Sequence, residues 1–139
     1  MDKVDLLARV PLFASVPRAD LERIARLTED VEVGAGTVLT REGRYESAFY
    51  FVVAGTVEIV RGDRPVDTVH GGGFFGEIAL LDAGPRTATA TALTPCELLR
   101  FNNREFDALL DTMPAVREAI QQEAEGRLAR IDAEARPPG

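Results

Sequence analysis

Several residue types that particular functions require are scarce in this 139-residue chain. It has no tryptophan, one cysteine, Cys96, and one histidine, His70. A single imidazole excludes a cupin-type metal centre, in which several histidines converge inside a barrel. Cys96 lies among apolar residues, so we expect a buried structural thiol and not a nucleophile. His70 is expected to end a strand, and no nucleophile elbow, Cys-His pairing or paired carboxylates indicate an enzyme.

The chain also lacks a long apolar run and an excess of positive charge. No run approaches the roughly twenty residues that a membrane-spanning helix needs, and the first five residues do not resemble a secretion signal, so we expect a cytoplasmic location. The 23 acidic and 16 basic residues give a net charge of −7, which works against general binding to DNA or to anionic membranes. A small anion enclosed by one pocket stays compatible, because short-range hydrogen bonds outweigh a screened global field.

Length and composition predict one domain, residues 1–139, that is large enough to bury its own core. Residues 1–28 predict N-terminal helices at about Val4–Val10 and Pro17–Leu27, the second with Ser15 or Val16 near its cap. Residues 29–101 are short apolar segments separated by glycines. Residues 102–132 predict two more helices, and residues 133–139 a loose tail.

The central segment predicts a mainly β fold with flanking helices. Seven or eight short strands with glycine turns are typical of a closed or double-sheet β-roll of jelly-roll type, which protects sheet edges that an open sheet would expose. The strand candidates are Val31–Val33, Thr37–Arg41, Ala48–Ala54, Thr56–Arg61, Val66–Val69, Thr87–Ala92 and Glu97–Phe101.

Two apolar stripes define the C-terminal helices. Asn102 or Asn103 can cap a helix that runs to about Thr112, and Pro114 can open a second helix that ends near Ile131. The spacing predicts that the second helix packs on the roll or on its copy in a homodimer. The inner-face residues are Phe106, Leu109, Leu110 and Met113 in the first helix, and Val116, Ala119, Ile120, Ala124, Leu128 and Ile131 in the second.

Residues 73–92 carry the most informative pattern, a Gly-Glu pair followed within ten positions by a Gly-Pro-Arg-Thr corner. Gly76 allows a ligand close to the backbone, and a turn that begins at Glu77 can direct free N–H groups at a negative charge. Arg86 supplies a planar countercharge, and the Glu77 carboxylate suits a ribose hydroxyl. These residue types indicate a ligand that contains one phosphate and one ribose.

The glycines in this segment also have other interpretations. Gly71, Gly73 and Gly76 satisfy the G-x-G-x-x-G pattern of dinucleotide-binding turns. However, only about six helix-like residues follow Gly76 before Asp82-Ala83-Gly84-Pro85, which is too short for the crossover helix of a dinucleotide fold. A plain hairpin loop would explain the glycines without explaining the Glu and the Arg.

Threonine and alanine alternate from Thr87 to Ala92, so a strand here carries threonines on one face and alanines on the other. Small side chains on both faces are expected to leave space. The Thr87 hydroxyl can bond a phosphate oxygen or a purine substituent. For Thr89 and Thr91, ligand contact and the ordinary β-propensity of threonine explain the residue equally well.

From Phe75 to Thr89 the sequence resembles the phosphate-binding cassette of the cyclic nucleotide-binding domain family, Phe-Gly-Glu-(Leu/Ile)-Ala-Leu, a short loop, then Pro-Arg-(Thr/Ser/Ala)-Ala-(Thr/Ser). Glycines near 36, 43 and 55 and the opening Pro-Leu-Phe extend the resemblance over most of the chain. It implies that Glu77 binds the ribose 2′-hydroxyl and that Arg86 binds the cyclic phosphate. The implied ligand-binding set is Gly76, Glu77, Ile78, Ala79, Arg86, Thr87 and Ala88.

The resemblance further implies a hinge helix and a lid helix that closes over the nucleotide base, near Ala124, Arg127 and Leu128. Stacking of Arg127 on a purine competes with its pairing to Glu123 or Asp132. The expected function is a regulatory sensor that binds cyclic AMP, with cyclic GMP left open, and that has no cofactor and no catalysis. Eight residues follow Ile131, too few for a helix-turn-helix, so we expect an effector protein or a missing effector domain to carry the output. The alternative is a β-roll interaction module without nucleotide.

Overall fold

The computed structural model describes residues 2–10, 13–45, 48–76 and 86–135. Within these ranges, helices occupy the two ends of the chain and eight strands lie between them. The helices are α1 (Lys3–Ala8), α2 (Arg18–Arg26), α3 (Asn103–Leu110) and α4 (Pro114–Ala135); the strands are β1 (Thr28–Val33), β2 (Val38–Thr40), β3 (Ala48–Ala54), β4 (Thr56–Arg61), β5 (Arg64–His70), β6 (Phe74–Phe75), β7 (Thr89–Ala92) and β8 (Cys96–Asn102).

The described strands form two four-stranded antiparallel sheets. The first has the order β1-β8-β3-β6, and the second has the order β2-β7-β4-β5. Every pairing is antiparallel, and β4 and β5 are joined by the two-residue turn at Gly62 and Asp63. This arrangement confirms the predicted mainly β class with flanking helices.

The first sheet is covered on both faces, which explains the continuous apolar run of β3. Phe49 and Phe51 belong to the cluster that the helices cover, whereas Val52 belongs to the cluster between the sheets. Successive side chains of a strand point to opposite faces of the sheet. A strand that is buried on both faces therefore needs apolar residues at consecutive positions. Phe49 stacks on Phe101 of β8 with ring centroids 4.5 Å apart, which joins the two central strands of this sheet.

Helices from both ends of the chain cover the outer face of the first sheet. The helical stripe expected for α2 is confirmed, since Leu21, Ile24 and Ala25 are buried. The α3–α4 region contributes four more buried residues. Together with Phe13 and the sheet residues, this cluster comprises Leu7, Val10, Leu21, Ile24, Ala25, Phe49, Phe51, Leu99, Phe101, Leu110, Met113, Val116 and Ile120.

The second cluster fills the space between the two sheets and corrects one expectation. Ala88, Ala90 and Ala92 are buried there, so the alanine face of β7 is filled by neighbours and leaves no open space. Cys96 is also buried in this cluster, as predicted, and its thiol donates to the carbonyl oxygens of Thr56 and Thr94.

The ends of the helices agree with the sequence in part. The N-cap of α2 is Pro17, which makes no side-chain hydrogen bond, and Val16 lies directly before it, near the cap as expected. At α3 the cap is Asn102, whose Oδ1 accepts from the backbone N–H groups of Arg104 at 3.0 Å and Glu105 at 3.3 Å. This bond pair fixes the point at which β8 turns into the helical layer.

Two strands differ from their predicted bounds in a way that concerns the cassette. β6 was not predicted, and its two residues pair with Tyr50 and Phe51 of β3. β7 begins at Thr89, so Thr87 and Ala88 precede the strand. β5 ends at His70, as expected.

Within the described ranges, no helix has the length and apolar character needed to span a bilayer.

Candidate functional site

Arg86 is the one buried charged residue in the part of the chain that the structure describes, with 8% of its surface exposed. Burying a guanidinium is costly unless its N–H groups are hydrogen-bonded. Its Nη1 donates to the carbonyl oxygen of Gly76 at 2.9 Å, and its Nη2 donates to the carbonyl oxygen of Ala48. The first residue of β3 and the residue after β6 therefore hold the plane of the guanidinium in place.

The main chain of Arg86 is also fixed, by the loop between β2 and β3. The Arg86 N–H donates to the carbonyl oxygen of Arg44 at 2.8 Å, and the Gly43 N–H donates to the carbonyl oxygen of Arg86 at 2.9 Å. These bonds pair Arg86 with the segment that follows β2, the strand with which β7 also pairs. The arginine is thus anchored at both its backbone and its side chain.

Gly76 occupies a position that only glycine fits without strain. Its φ is +88°, in the left-handed region. A Cβ at this position would lie 3.0 Å from Nη1 of Arg86 and 3.1 Å from Cα of Phe49. The absence of a side chain therefore allows the guanidinium to reach the Gly76 carbonyl and to lie against the start of β3.

Glu42 joins the loop that holds Arg86 to the second sheet. Its backbone N–H donates to the Thr89 hydroxyl at 3.0 Å, and its carboxylate accepts from the Gly62 N–H at 2.9 Å. The Thr89 hydroxyl therefore has a structural partner, which favours the structural interpretation of this threonine. Glu42 connects the cassette strand β7 with the β4–β5 turn.

The predicted binding residues are only partly within the described residues. Glu77, Ile78 and Ala79 lie outside them, so their predicted roles stay predictions. Thr87 is half-buried and directly follows Arg86. The side chain of Ala88 is buried between the sheets, so a ligand contact from this residue would use its main chain.

The predicted lid residues lie on α4. Ala124 is fully buried and follows the buried Val116 and Ile120 at four-residue spacing, which confirms one apolar face for this part of the helix. The helix also lies against β5 of the second sheet. The side chains of Arg127 and Leu128 are outside the described part, so their contact with a base is a prediction.

Sequence reasoning missed the groups that hold Arg86. Ala48, Gly43 and Arg44 act through backbone atoms, which any residue type supplies, so residue identity carries no signal for them. The turn at Gly43 was the one available hint, since it places the loop beside the cassette. Sequence alone could name the arginine but not its partners.

A buried guanidinium whose orientation is fixed by hydrogen bonds is suited to binding an anion. Its planar fork matches the oxygens of a phosphate, and the fixed orientation reduces the entropy lost on binding. The described residues contain no group of three or more His, Cys, Asp or Glu side chains that could hold a metal ion. The chemistry that the Arg86 guanidinium supplies is electrostatic recognition of a small anionic group.

Comparison of the sequence with known protein families identifies the family of this chain. The profile of the "Cyclic nucleotide-binding domain" family matches residues 30–113, which is more than half of the chain. The chain belongs to the cyclic nucleotide-binding domain family. The matched range begins in β1, includes all of the cassette and ends between α3 and α4.

Curated relatives of this domain include ion channels. The chain is 37% identical over 119 residues to a cyclic nucleotide-gated potassium channel of Rhizobium etli, a match that covers 86% of this chain and 33% of the channel. A human potassium/sodium hyperpolarization-activated cyclic nucleotide-gated channel, number 3, is 34% identical over 127 residues, 91% of this chain and 16% of the channel. The chain thus spans about a third or less of the length of these relatives.

Solved structures confirm the β-roll. The catabolite activator protein of Thermus thermophilus superimposes with a TM-score of 0.77 and 28% identity, over 89% of this chain and 61% of that one. The cAMP-bound structure of PfPKA-R superimposes with a TM-score of 0.85 over 94% of this chain and 45% of that one. Its 21% identity supports the fold alone.

Proposed function

We propose that this chain is a regulatory sensor domain that binds cyclic AMP between β6 and β7 and does not turn it over. The observation that carries the proposal is the buried Arg86, fixed by the carbonyl oxygens of Gly76 and Ala48 at the flank of a cassette that matches the family pattern. An arginine that is held before the ligand arrives can bind a phosphate without further ordering.

In this proposal each cassette residue has one task. The Arg86 guanidinium binds the cyclic phosphate, and the Thr87 hydroxyl, next to it, donates to a phosphate oxygen or to the base. The Glu77 carboxylate accepts from the ribose 2′-hydroxyl, while the backbone N–H groups of Gly76, Ile78 and Ala79 complete the contacts. Ala88 contributes through its main chain.

The second part of the proposal concerns the base and the output. The base lies under α4, near Ala124, Arg127 and Leu128, and binding shifts α4 toward the position in which it covers the base. Because the curated channel relatives are about three times as long or longer, we propose that the movement is passed to an effector protein or to another segment of a longer protein. We propose cyclic AMP before cyclic GMP because members of the family generally bind cyclic AMP, and no residue of this chain decides between them.

A melting experiment tests the proposal directly. Cyclic AMP at concentrations well above its dissociation constant stabilises the folded state by RT ln(1 + [L]/Kd), about 2.7 kcal/mol at a hundredfold excess, and so raises the melting temperature. Adenosine, which lacks the phosphate, is the matched control, and cyclic GMP compares the bases.

The expected result is a rise with cyclic AMP, a smaller rise with cyclic GMP and none with adenosine. No rise with either cyclic nucleotide at millimolar concentration would favour the rival function, a β-roll interaction module that docks through its C-terminal helices.

A further inference from the structure

The side chain of Arg117 connects α4 to α3 at the elbow between the two helices. Arg117, in the first turn of α4, donates from Nη1 to Oδ1 of Asp107 at 2.8 Å. Its Nη2 donates to the main-chain oxygen of Asp107 at 2.5 Å and to Oδ1 of Asp111 at 2.9 Å. Asp107 is in α3, and Asp111 is the C-cap of that helix.

The geometry of these bonds restricts the direction of α4 as well as its distance from α3. A guanidinium that donates through two nitrogens to three acceptors fixes both its position and its plane. The side chain of Arg117 is 23% exposed, whereas those of Asp107 and Asp111 are 51% and 75% exposed, so water reaches these bonds from the aspartate side and weakens each of them. Rotation of α4 about the residues between Asp111 and Pro114 would separate Arg117 from Asp107.

The apolar side of the elbow does not impose this angle by itself. Leu110, Met113 and Val116 are buried in the cluster under the helices, and apolar contacts of this kind are non-directional. The hydrogen bonds of Arg117 to Asp107 and Asp111 add the directional restraint on α4. Because α4 continues to Ala135, a small change of angle at Arg117 becomes a larger displacement at residues 124–131.

We propose that Arg117 is a positioning residue for ligand binding, which sets the angle between α3 and α4 and so holds α4 on the roll. The affinity part of this inference rests on the proposed function, whereas the angle does not. Partly exposed ion pairs shift a two-state ratio by about twofold to fivefold, which is enough to alter the fraction of molecules that are ready to bind.

The angle is tested without nucleotide. Spin labels at Arg104 and Glu125, both exposed and on α3 and α4, report the distance between the helices in a Cys96→Ala background. The substitutions are Arg117→Gln and Asp107→Ala. The matched control is Arg18→Gln, since Arg18 also pairs with two aspartates, Asp2 and Asp5, but lies on α2 and makes neither of these pairs with α3 or α4.

The expected result is a distance distribution that Arg117→Gln and Asp107→Ala broaden or displace and that Arg18→Gln leaves as in the parent. An unchanged distribution in Arg117→Gln overturns the proposal, and so does an equal change in the Arg18→Gln control. A lowered melting temperature with an unchanged distribution would mean that Arg117 only stabilises the fold.

Calorimetry with cyclic AMP tests the link to binding. Arg117→Gln and Asp107→Ala should each weaken affinity about twofold to fivefold, and the double variant should be no weaker than the poorer single variant. Parent-like affinity in Arg117→Gln overturns the positioning role. If the parent itself binds no cyclic nucleotide, the proposed function fails, and the distance measurement alone decides whether Arg117 sets the elbow.

Discussion

Gly76 shows how one residue determines the geometry of the candidate site. Two separate requirements apply to this position. Its φ of +88° is left-handed, and a Cβ here would lie 3.0 Å from Nη1 of Arg86. The first is conformational and the second is steric. Gly36 shows only the conformational requirement, because its φ of +87° is almost the same and no atom of the described residues would lie within 4 Å of a Cβ there.

Gly76→Ala should therefore cost more stability than Gly36→Ala. The left-handed conformation costs each variant about 1–2 kcal/mol, and the contacts with Arg86 and Phe49 add to the cost at position 76 alone. Urea unfolding measures both free energies. Equal losses of unfolding free energy in the two variants would mean that Arg86 and Phe49 move aside without cost. The steric requirement at Gly76 would then not contribute to stability.

At the residue scale, sequence could name the charged group but not what holds it. The identity of Arg86 and its spacing from Gly76 are visible in the sequence, because the chemistry of a guanidinium belongs to the side chain. The carbonyl oxygens of Ala48 and Gly76 are backbone groups and become partners only once β3 and β6 pair. Such partners follow from tertiary structure, which residue identity does not encode locally.

At the scale of elements, strands with a marked apolar pattern were predictable, whereas the two-residue strand β6 was not. β3 and β4 have the bounds that their apolar patterns predict, Ala48–Ala54 and Thr56–Arg61. β6 has two residues, too few to show any period, and it exists because Phe74 and Phe75 pair with β3. The same pairing buries Phe75 against Tyr50, with ring centroids 5.0 Å apart, immediately before Gly76.

The alanine face of β7 gives a second prediction at this scale. Ala90 is 1% exposed and pairs with Ile59, so its neighbours already fill the space between the sheets. Ala90→Val should overpack this space and cost about 1–3 kcal/mol of unfolding free energy.

Thr91→Val is the matched control, since Thr91 lies on the opposite, half-buried face and the change in shape is small. We expect it to alter the free energy of unfolding by less than about 0.5 kcal/mol in thermal or urea unfolding. A larger loss from Thr91→Val than from Ala90→Val would contradict the filled alanine face.

At the scale of the whole molecule, the roll and the C-terminal helices share one apolar cluster. Val116 and Ile120 of α4 pack with Phe49, Phe51 and Phe101 of the first sheet, so the position of α4 depends on the sheet that carries Ala48. Ala48 also accepts from Arg86. Strand β3 therefore contacts the Arg86 guanidinium through Ala48 and α4 through Phe49 and Phe51.

Hydrogen exchange tests whether the two are coupled. Cyclic AMP should slow amide exchange in residues 114–131 more than in α2, because α4 gains contacts with the base whereas α2 has no proposed contact with the ligand. Equal slowing in α2 and α4 would indicate general stabilisation by the ligand, without a specific response of α4.

The central claim is that Arg86 binds the phosphate of a cyclic nucleotide, and calorimetric titration with cyclic AMP tests it most directly. Arg86→Ala should weaken affinity about 100-fold, which corresponds to about 3 kcal/mol for removing a charge-assisted fork from a desolvated phosphate. Arg86→Lys, which keeps the charge without the fork, should also bind more weakly, and circular dichroism verifies that both variants fold. Arg23→Ala, which removes an exposed arginine of α2, should bind like the parent. Parent-like affinity in folded Arg86→Ala would contradict the account.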